Sequence, residues 1–130
     1  MEFYMKENGM HTKFGYGELD ISSDDTKGFR PFQLMVASIA GCSASVFRKI
    51  LAKQRIEIAE LQIVADVKRD PDEANRIKDI TLNFVVKGDR LDQTKMEKNL
   101  KLARKNCSMV RSVEDSINIT ETIETVQLSE

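Results

Sequence analysis

The sequence predicts an α+β fold in which an antiparallel sheet accompanies one long, buried central helix. Strand-like and helix-like segments are segregated along the chain rather than alternating, which argues α+β over a doubly wound α/β sheet. The segment from Pro31 to about Gln54 is apolar or small on every side over its first half, and a helix hydrophobic all round is buried all round. Two later segments alternate apolar and polar residues around a turn-rich connection, the pattern of an antiparallel hairpin. At 130 residues, the chain fits one domain spanning 1–130.

Residues 1–21 read as strands, with Asn8-Gly9 as a two-residue hairpin turn because both types tolerate positive φ. A polar loop follows from Ser22 to Arg30. Pro31 then suits the first turn of a helix, where its missing N–H costs nothing. The second half of this helix, with Arg48, Lys49 and Lys53, turns amphipathic. Its small residues, Ala37, Ser38, Ala40, Gly41, Ser43, Ala44 and Ser45, let another backbone approach closely. A domain of this size rarely encloses such a helix alone, so part of the cover is expected from a second chain.

In the hairpin, Leu61, Ile63, Ala65 and Val67 share one face, and Ile80, Leu82, Phe84 and Val86 share another. Asp70-Pro71-Asp72-Glu73 makes the turn and Gly88-Asp89-Arg90 closes the unit. A second helix begins near Asp92 or Thr94, where Thr94 and Glu97 fit a capping box. Met96, Leu100, Ala103 and Cys107 form one helical stripe, so Cys107 faces the core if the helix reaches it. A break at Asn106–Ser108 precedes a short helix over Met109–Asp115. Ser116–Leu128 reads as a final strand with Ile117, Ile119 and Ile123 on one face.

Lys+Arg is 20 and Asp+Glu 21, a net charge of −1, which gives no global reason to expect nucleic acid or an anionic membrane as partner. The basic surface of Lys95, Lys98, Lys101, Arg104 and Lys105 has no aromatic interleaving and reads as a solvated face. The opening MEFYMKENGM has no apolar core of a signal peptide, and the apolar run Pro31–Phe47 reads as too short to span a membrane. A cytoplasmic location is expected. With 2 Cys and 1 His, a disulfide framework or a structural zinc site is not expected.

Taken alone, Cys42 reads as a small core residue. Cys107, on the inner stripe of a different helix, widens the options. Two inward-facing thiols are the minimum kit for two-electron thiol chemistry, although spacing leaves open whether they meet. In that chemistry one thiolate attacks an electrophile such as a peroxide oxygen and becomes a sulfenic acid. The other thiol condenses with it and releases water.

The segment Pro31-Phe-Gln-Leu-Met-Val-Ala-Ser-Ile-Ala-Gly-Cys42-Ser-Ala resembles the central helix of the OsmC/Ohr family, in which a proline opens a buried helix leading to an Ala/Gly-Cys motif. Cys107-Ser-Met-Val-Arg-Ser is similar to that family's second-cysteine motif, and the order of elements matches over nearly the whole chain. The resemblance implies an intertwined homodimer with thiols in pockets at the interface. It implies a peroxidatic Cys42 that reduces a small-molecule peroxide. Cys107 would then be the resolving thiol, a dithiol the reductant, and no metal, flavin or haem would be required.

Two features depart from the family pattern. Its peroxidases pair the thiolate with an arginine from the N-terminal strand region and carry a glutamate just after the helix-opening proline. Here Phe32 and Gln33 stand near the glutamate's place, and no arginine precedes Arg30. Burial among apolar groups raises a thiol's pKa, so without a cation little thiolate is expected. The helix dipole has faded at Cys42, three turns in, whereas Cys107 at a helix start would be favoured in its ionised form. Arg30 and Arg111 are the substitute cations to consider; for each the plain alternative is a solvated surface arginine. Ser108, where the family often has proline, reads as a helix N-cap. His11 with Cys42 would make a nucleophile–base pair, but no third, orienting residue is identifiable. Gly15 and Gly17, flanking Tyr16, mark a bulge or close chain approach rather than a phosphate loop.

The leading reading is a thiol-dependent peroxidase. The alternative is a non-peroxidatic dimer that binds a small hydrophobic or thiol-reactive ligand in the interface pocket. A structural dimer whose cysteines only fill space is a third.

Overall fold

The computed structural model describes residues 1–128. The chain forms two units, Met1–Ala37 and a second that begins at Ser38.

The first unit is a three-stranded antiparallel sheet in the order β1-β2-β3, formed by Tyr4–Lys6, Gly9–Lys13 and Glu18–Ile21. Lys6 pairs with Gly9, so the first turn is Glu7-Asn8, one residue earlier than Asn8-Gly9, and neither turn residue has positive φ. Gly9 instead meets a close approach. A Cβ there would lie 2.0 Å from the Ile21 carbonyl oxygen, so the position excludes a side chain.

Helix α1 (Pro31–Lys53) begins in the first unit and continues through the second. It ends because Arg55 adopts φ 58, which lets the Ile56 N–H reach back to the Leu51 carbonyl at 2.9 Å. At 23 residues it is longer than the apolar run Pro31–Phe47. By length and composition alone it could cross a bilayer, a test that core helices also pass. Val36, Ile39, Ser43, Phe47 and Leu51 are buried, one stripe at helical spacing. Met35, Ala37, Ser38, Gly41 and Ser45 are exposed, so within one chain the helix is buried along one side and not all round.

The second unit holds a three-stranded sheet in the order β4-β5-β6, made by Glu60–Asp70, Arg76–Gly88 and Asn118–Gln127. The β4–β5 hairpin is antiparallel, and its register pairs Leu61 with Val86, Ile63 with Phe84, Ala65 with Leu82 and Val67 with Ile80. The two alternating sets therefore meet across the hairpin on a single face. Ile80, Leu82, Phe84 and Val86 are wholly buried, and the Phe47 ring packs edge-on against Phe84 with centroids 5.5 Å apart.

Strand β6 departs from the antiparallel expectation by pairing parallel to β5. Parallel neighbours need a long crossover. Here it is α2 (Gln93–Asn106) followed by α3 (Ser108–Val113). The N-cap of α2 is Asp92, whose carboxylate accepts from the Lys95 N–H at 3.3 Å, so the Thr94–Glu97 capping box does not form. Met96, Leu100, Ala103 and Cys107 are all buried, as the stripe predicts. Asn99 and Gln54 exchange amide hydrogen bonds of 2.8 and 2.9 Å, joining α2 to the chain just beyond α1.

Candidate functional site

Cys42 lies on α1 at an intermediate depth, whereas Cys107 is fully buried at the junction of α2 and α3. Cys107 has extended backbone (φ −87, ψ 109), caps the end of α2 and precedes α3. Its side chain makes no capping hydrogen bond, and Ser108 is the first residue of α3 rather than its cap. The crossover thereby brings Cys107 close enough to Cys42 for each thiol to be among the groups that shift the other.

The two thiols are shifted in opposite directions. Cys42 is held below the ordinary cysteine value, chiefly by the backbone N–H of Met109. Desolvation opposes this, and Cys107, the Ser108 hydroxyl and the Ser108 N–H add to the lowering. The Ser108 Oγ lies 3.7 Å from the Cys42 sulfur. Cys107 is pushed up, first by desolvation, with the neighbouring Cys42 adding to the rise against the Val110 and Met109 N–H groups. On chain position alone, the benefit of a helix start would fall to Cys107. The fold turns the leading donor toward Cys42 instead: the N–H groups of Ser108 and Met109, at the first turn of α3, have no acceptor within their own helix, and both favour the Cys42 thiolate.

Neither candidate arginine is among the groups that shift either thiol. The Arg111 guanidinium pairs with Glu114 at 3.0 Å and donates to the Lys105 carbonyl at 3.4 Å. Arg30, in the first unit, stacks its guanidinium 4.8 Å above the Phe32 ring. His11 has the orienting carboxylate that the sequence did not reveal. Its Nδ1 lies 2.7 Å from Asp20 Oδ1, and Lys6 also pairs with Asp20 at 2.9 Å. His11, and then Lys6, hold the Asp20 carboxyl below its usual range.

The sequence expectations above omit a buried acid, Glu121. Glu121 pairs with Leu82 in register, between Ile119 and Ile123, on the buried face of β6. Both its carboxylate oxygens are buried without a hydrogen-bond partner, as is the Oγ of Ser43, the residue after Cys42. Desolvation pushes Glu121 up, opposed by the Arg104 guanidinium and the nearby Ser43 hydroxyl. The period-two run Ile117, Ile119, Ile123 contains the signal: the omitted position is an acid on a core face.

The OsmC family model, described as OsmC-like protein, matches residues 23–122. The chain belongs to the OsmC-like family. That match crosses the boundary between the two units. Protein YhfA of Escherichia coli (strain K12) is 28% identical over 109 residues, covering 83% of this chain and 81% of YhfA. Among solved structures, a hypothetical protein from Aquifex aeolicus VF5 superposes with a TM-score of 0.88 at 25% identity, over 98% of this chain and 96% of the other. An organic hydroperoxide resistance protein OsmC from Legionella pneumophila gives 0.74 at 17% identity, over 95% and 93% of the respective chains. The OsmC-like fold is thus shared with a hydroperoxide resistance protein and with relatives whose names state no reaction.

Proposed function

We propose that this OsmC-like chain is a thiol-dependent peroxidase in which Cys42 is the nucleophile and Cys107 the resolving thiol. The observation that carries the reading is the pairing of opposite environments: a partly exposed thiol biased toward thiolate beside a buried thiol biased against it. The thiolate is the nucleophile, so the first sulfur is the one equipped to attack. Its electron pair displaces the O–O bond of a hydroperoxide, giving a Cys42 sulfenic acid and an alkoxide that takes a proton from water. Cys107 then attacks the sulfenic sulfur, a disulfide forms and water leaves. An external dithiol, oxidised in turn, returns both cysteines to thiols.

The working protein is proposed to be a cytoplasmic homodimer in which the chain acts as one domain. The exposed side of α1, with Met35, Ala37, Ser38, Gly41 and Ser45, is the surface that a second copy would cover.

A second reading, binding of a small hydrophobic or thiol-reactive ligand without turnover, is favoured by one observation. All the groups that lower Cys42 are neutral, so the sulfur lacks the full positive charge of a strongly activated thiolate. One experiment separates the two. Reduced protein is treated with one equivalent of an organic hydroperoxide and weighed intact. Loss of two hydrogens per chain, abolished by Cys42→Ser and by Cys107→Ser, is expected for the peroxidase. Unchanged mass, with peroxide consumption no faster than free cysteine, leaves the ligand-binding reading.

A further inference from the structure

We propose that Ser108 is a further catalytic residue, its hydroxyl donating a hydrogen bond directly to the Cys42 thiolate. The assignment rests on the reading of Cys42 as the reacting sulfur and names the side chain that activates it.

The geometry is specific. The Ser108 Oγ sits 3.7 Å from the Cys42 sulfur, within hydrogen-bonding reach of a large, polarisable acceptor. Among the described residues, the hydroxyl has no other hydrogen-bond partner. An ionised sulfur has no proton to give, so the hydroxyl must be the donor once Cys42 ionises. The Ser108 backbone is fixed independently. Its carbonyl accepts from the Ser112 hydroxyl at 2.7 Å, and the next carbonyl back, that of Cys107, accepts from the Arg111 N–H at 2.9 Å. The hydroxyl is therefore presented from an anchored turn rather than from a loop. As a neutral donor at short range, it is screened far less by salt than an ion pair would be.

The extended backbone of Cys107 (φ −87, ψ 109) supplies a further variant. A residue before proline must be extended, and proline is well tolerated at the first position of a helix. Ser108→Pro therefore removes both the hydroxyl and the N–H of this residue while keeping a backbone that α3 accepts.

The test is the pH dependence of iodoacetamide alkylation at Cys42, resolved by peptide mass in the intact chain. Ser108→Ala is expected to slow alkylation at pH 7 by about fivefold, the effect of losing one such hydrogen bond. Its profile should move to higher pH and reach the parental plateau in alkali. Ser108→Thr should retain the parental profile, and Ser108→Pro should be displaced at least as far as Ser108→Ala. A Ser108→Ala profile that overlays the parent overturns the assignment. So does a rate lowered equally at every pH, plateau included, because that reports access rather than ionisation. No peroxide is used, so the result is independent of the peroxidase reading. A displaced Ser108→Ala profile in a protein that forms no disulfide with hydroperoxide would support Ser108 as the donor while overturning peroxide reduction.

Discussion

Cys42 and Cys107 bear the same functional group, and their difference arises from what surrounds each sulfur. A thiol whose N–H and O–H donors outweigh its desolvation ionises more readily, whereas one whose desolvation outweighs its donors does not. At neutral pH Cys42 is therefore expected to alkylate before Cys107, with its pH profile below that of free cysteine and the Cys107 profile above it. Peptide-resolved mass spectrometry after timed quenching checks the order; Cys107 reacting first would refute it. Glu121 supplies a second prediction. Its pKa is raised in the fold by desolvation. The stability associated with the protonated form is present below the ordinary carboxyl range and lost as pH rises through the higher folded value. Glu121→Gln should thus be more stable than the parent by about 1 kcal/mol at pH 7. The advantage should vanish near pH 3, as read by urea unfolding at both pH values. The two cysteines were legible in the sequence because each lies in a patterned element. The donors were not, because main-chain N–H groups look alike in every residue and only the tertiary path of the crossover aims them. Glu121 was hard to read because an acid at one position of an otherwise apolar alternating face looks like a break in the pattern rather than a buried group.

The elements were more legible than their ends. The long helix, the hairpin and its shared apolar face followed from periodicity alone, and the observed register joins the two predicted sets residue by residue. Turns and caps were decided by contacts that periodicity does not encode. Asp92 outcompetes Thr94 as the cap, and the first hairpin turns one residue early because Gly9 is needed against Ile21. The direction of β6 was also hidden, since an alternating strand reads the same in either orientation. The β4–β5 turn carries its own test. Ala74 and Asn75 both sit at φ 57, a conformation that asparagine tolerates and alanine does not. Ala74→Gly relieves the strain at some entropic expense in the unfolded chain, for a net gain of about 0.5 kcal/mol. Thermal unfolding should show a midpoint higher by about 2 °C; a lower midpoint would show that the turn was not strained.

For the whole molecule, exposed apolar surface suggests association. Phe3, Tyr4, Met5, Phe14, Tyr16 and Phe29 are exposed in the first unit, whose sheet has short strands and little core of its own. A mass twice the 14.8 kDa of one chain is expected by light scattering. A Cβ at Gly41 would meet nothing within 4 Å inside the chain, so Gly41→Leu should leave the protomer folded. If a second α1 packs there, the same variant should elute at the mass of one chain. An unchanged dimer would move the interface elsewhere.

The meeting of Cys42 with Cys107 also bears on heat resistance. Every residue from β4 through α2 lies on the stretch of chain between the two sulfurs. Joining the sulfurs would close that stretch into a ring and deprive the denatured polypeptide of much of its freedom, an effect of about 4 kcal/mol for a ring of this size. Oxidant would then act as a thermostabiliser. The disulfide form should survive temperatures that melt the dithiol form, and a change in melting point would report the redox state without any assay of turnover.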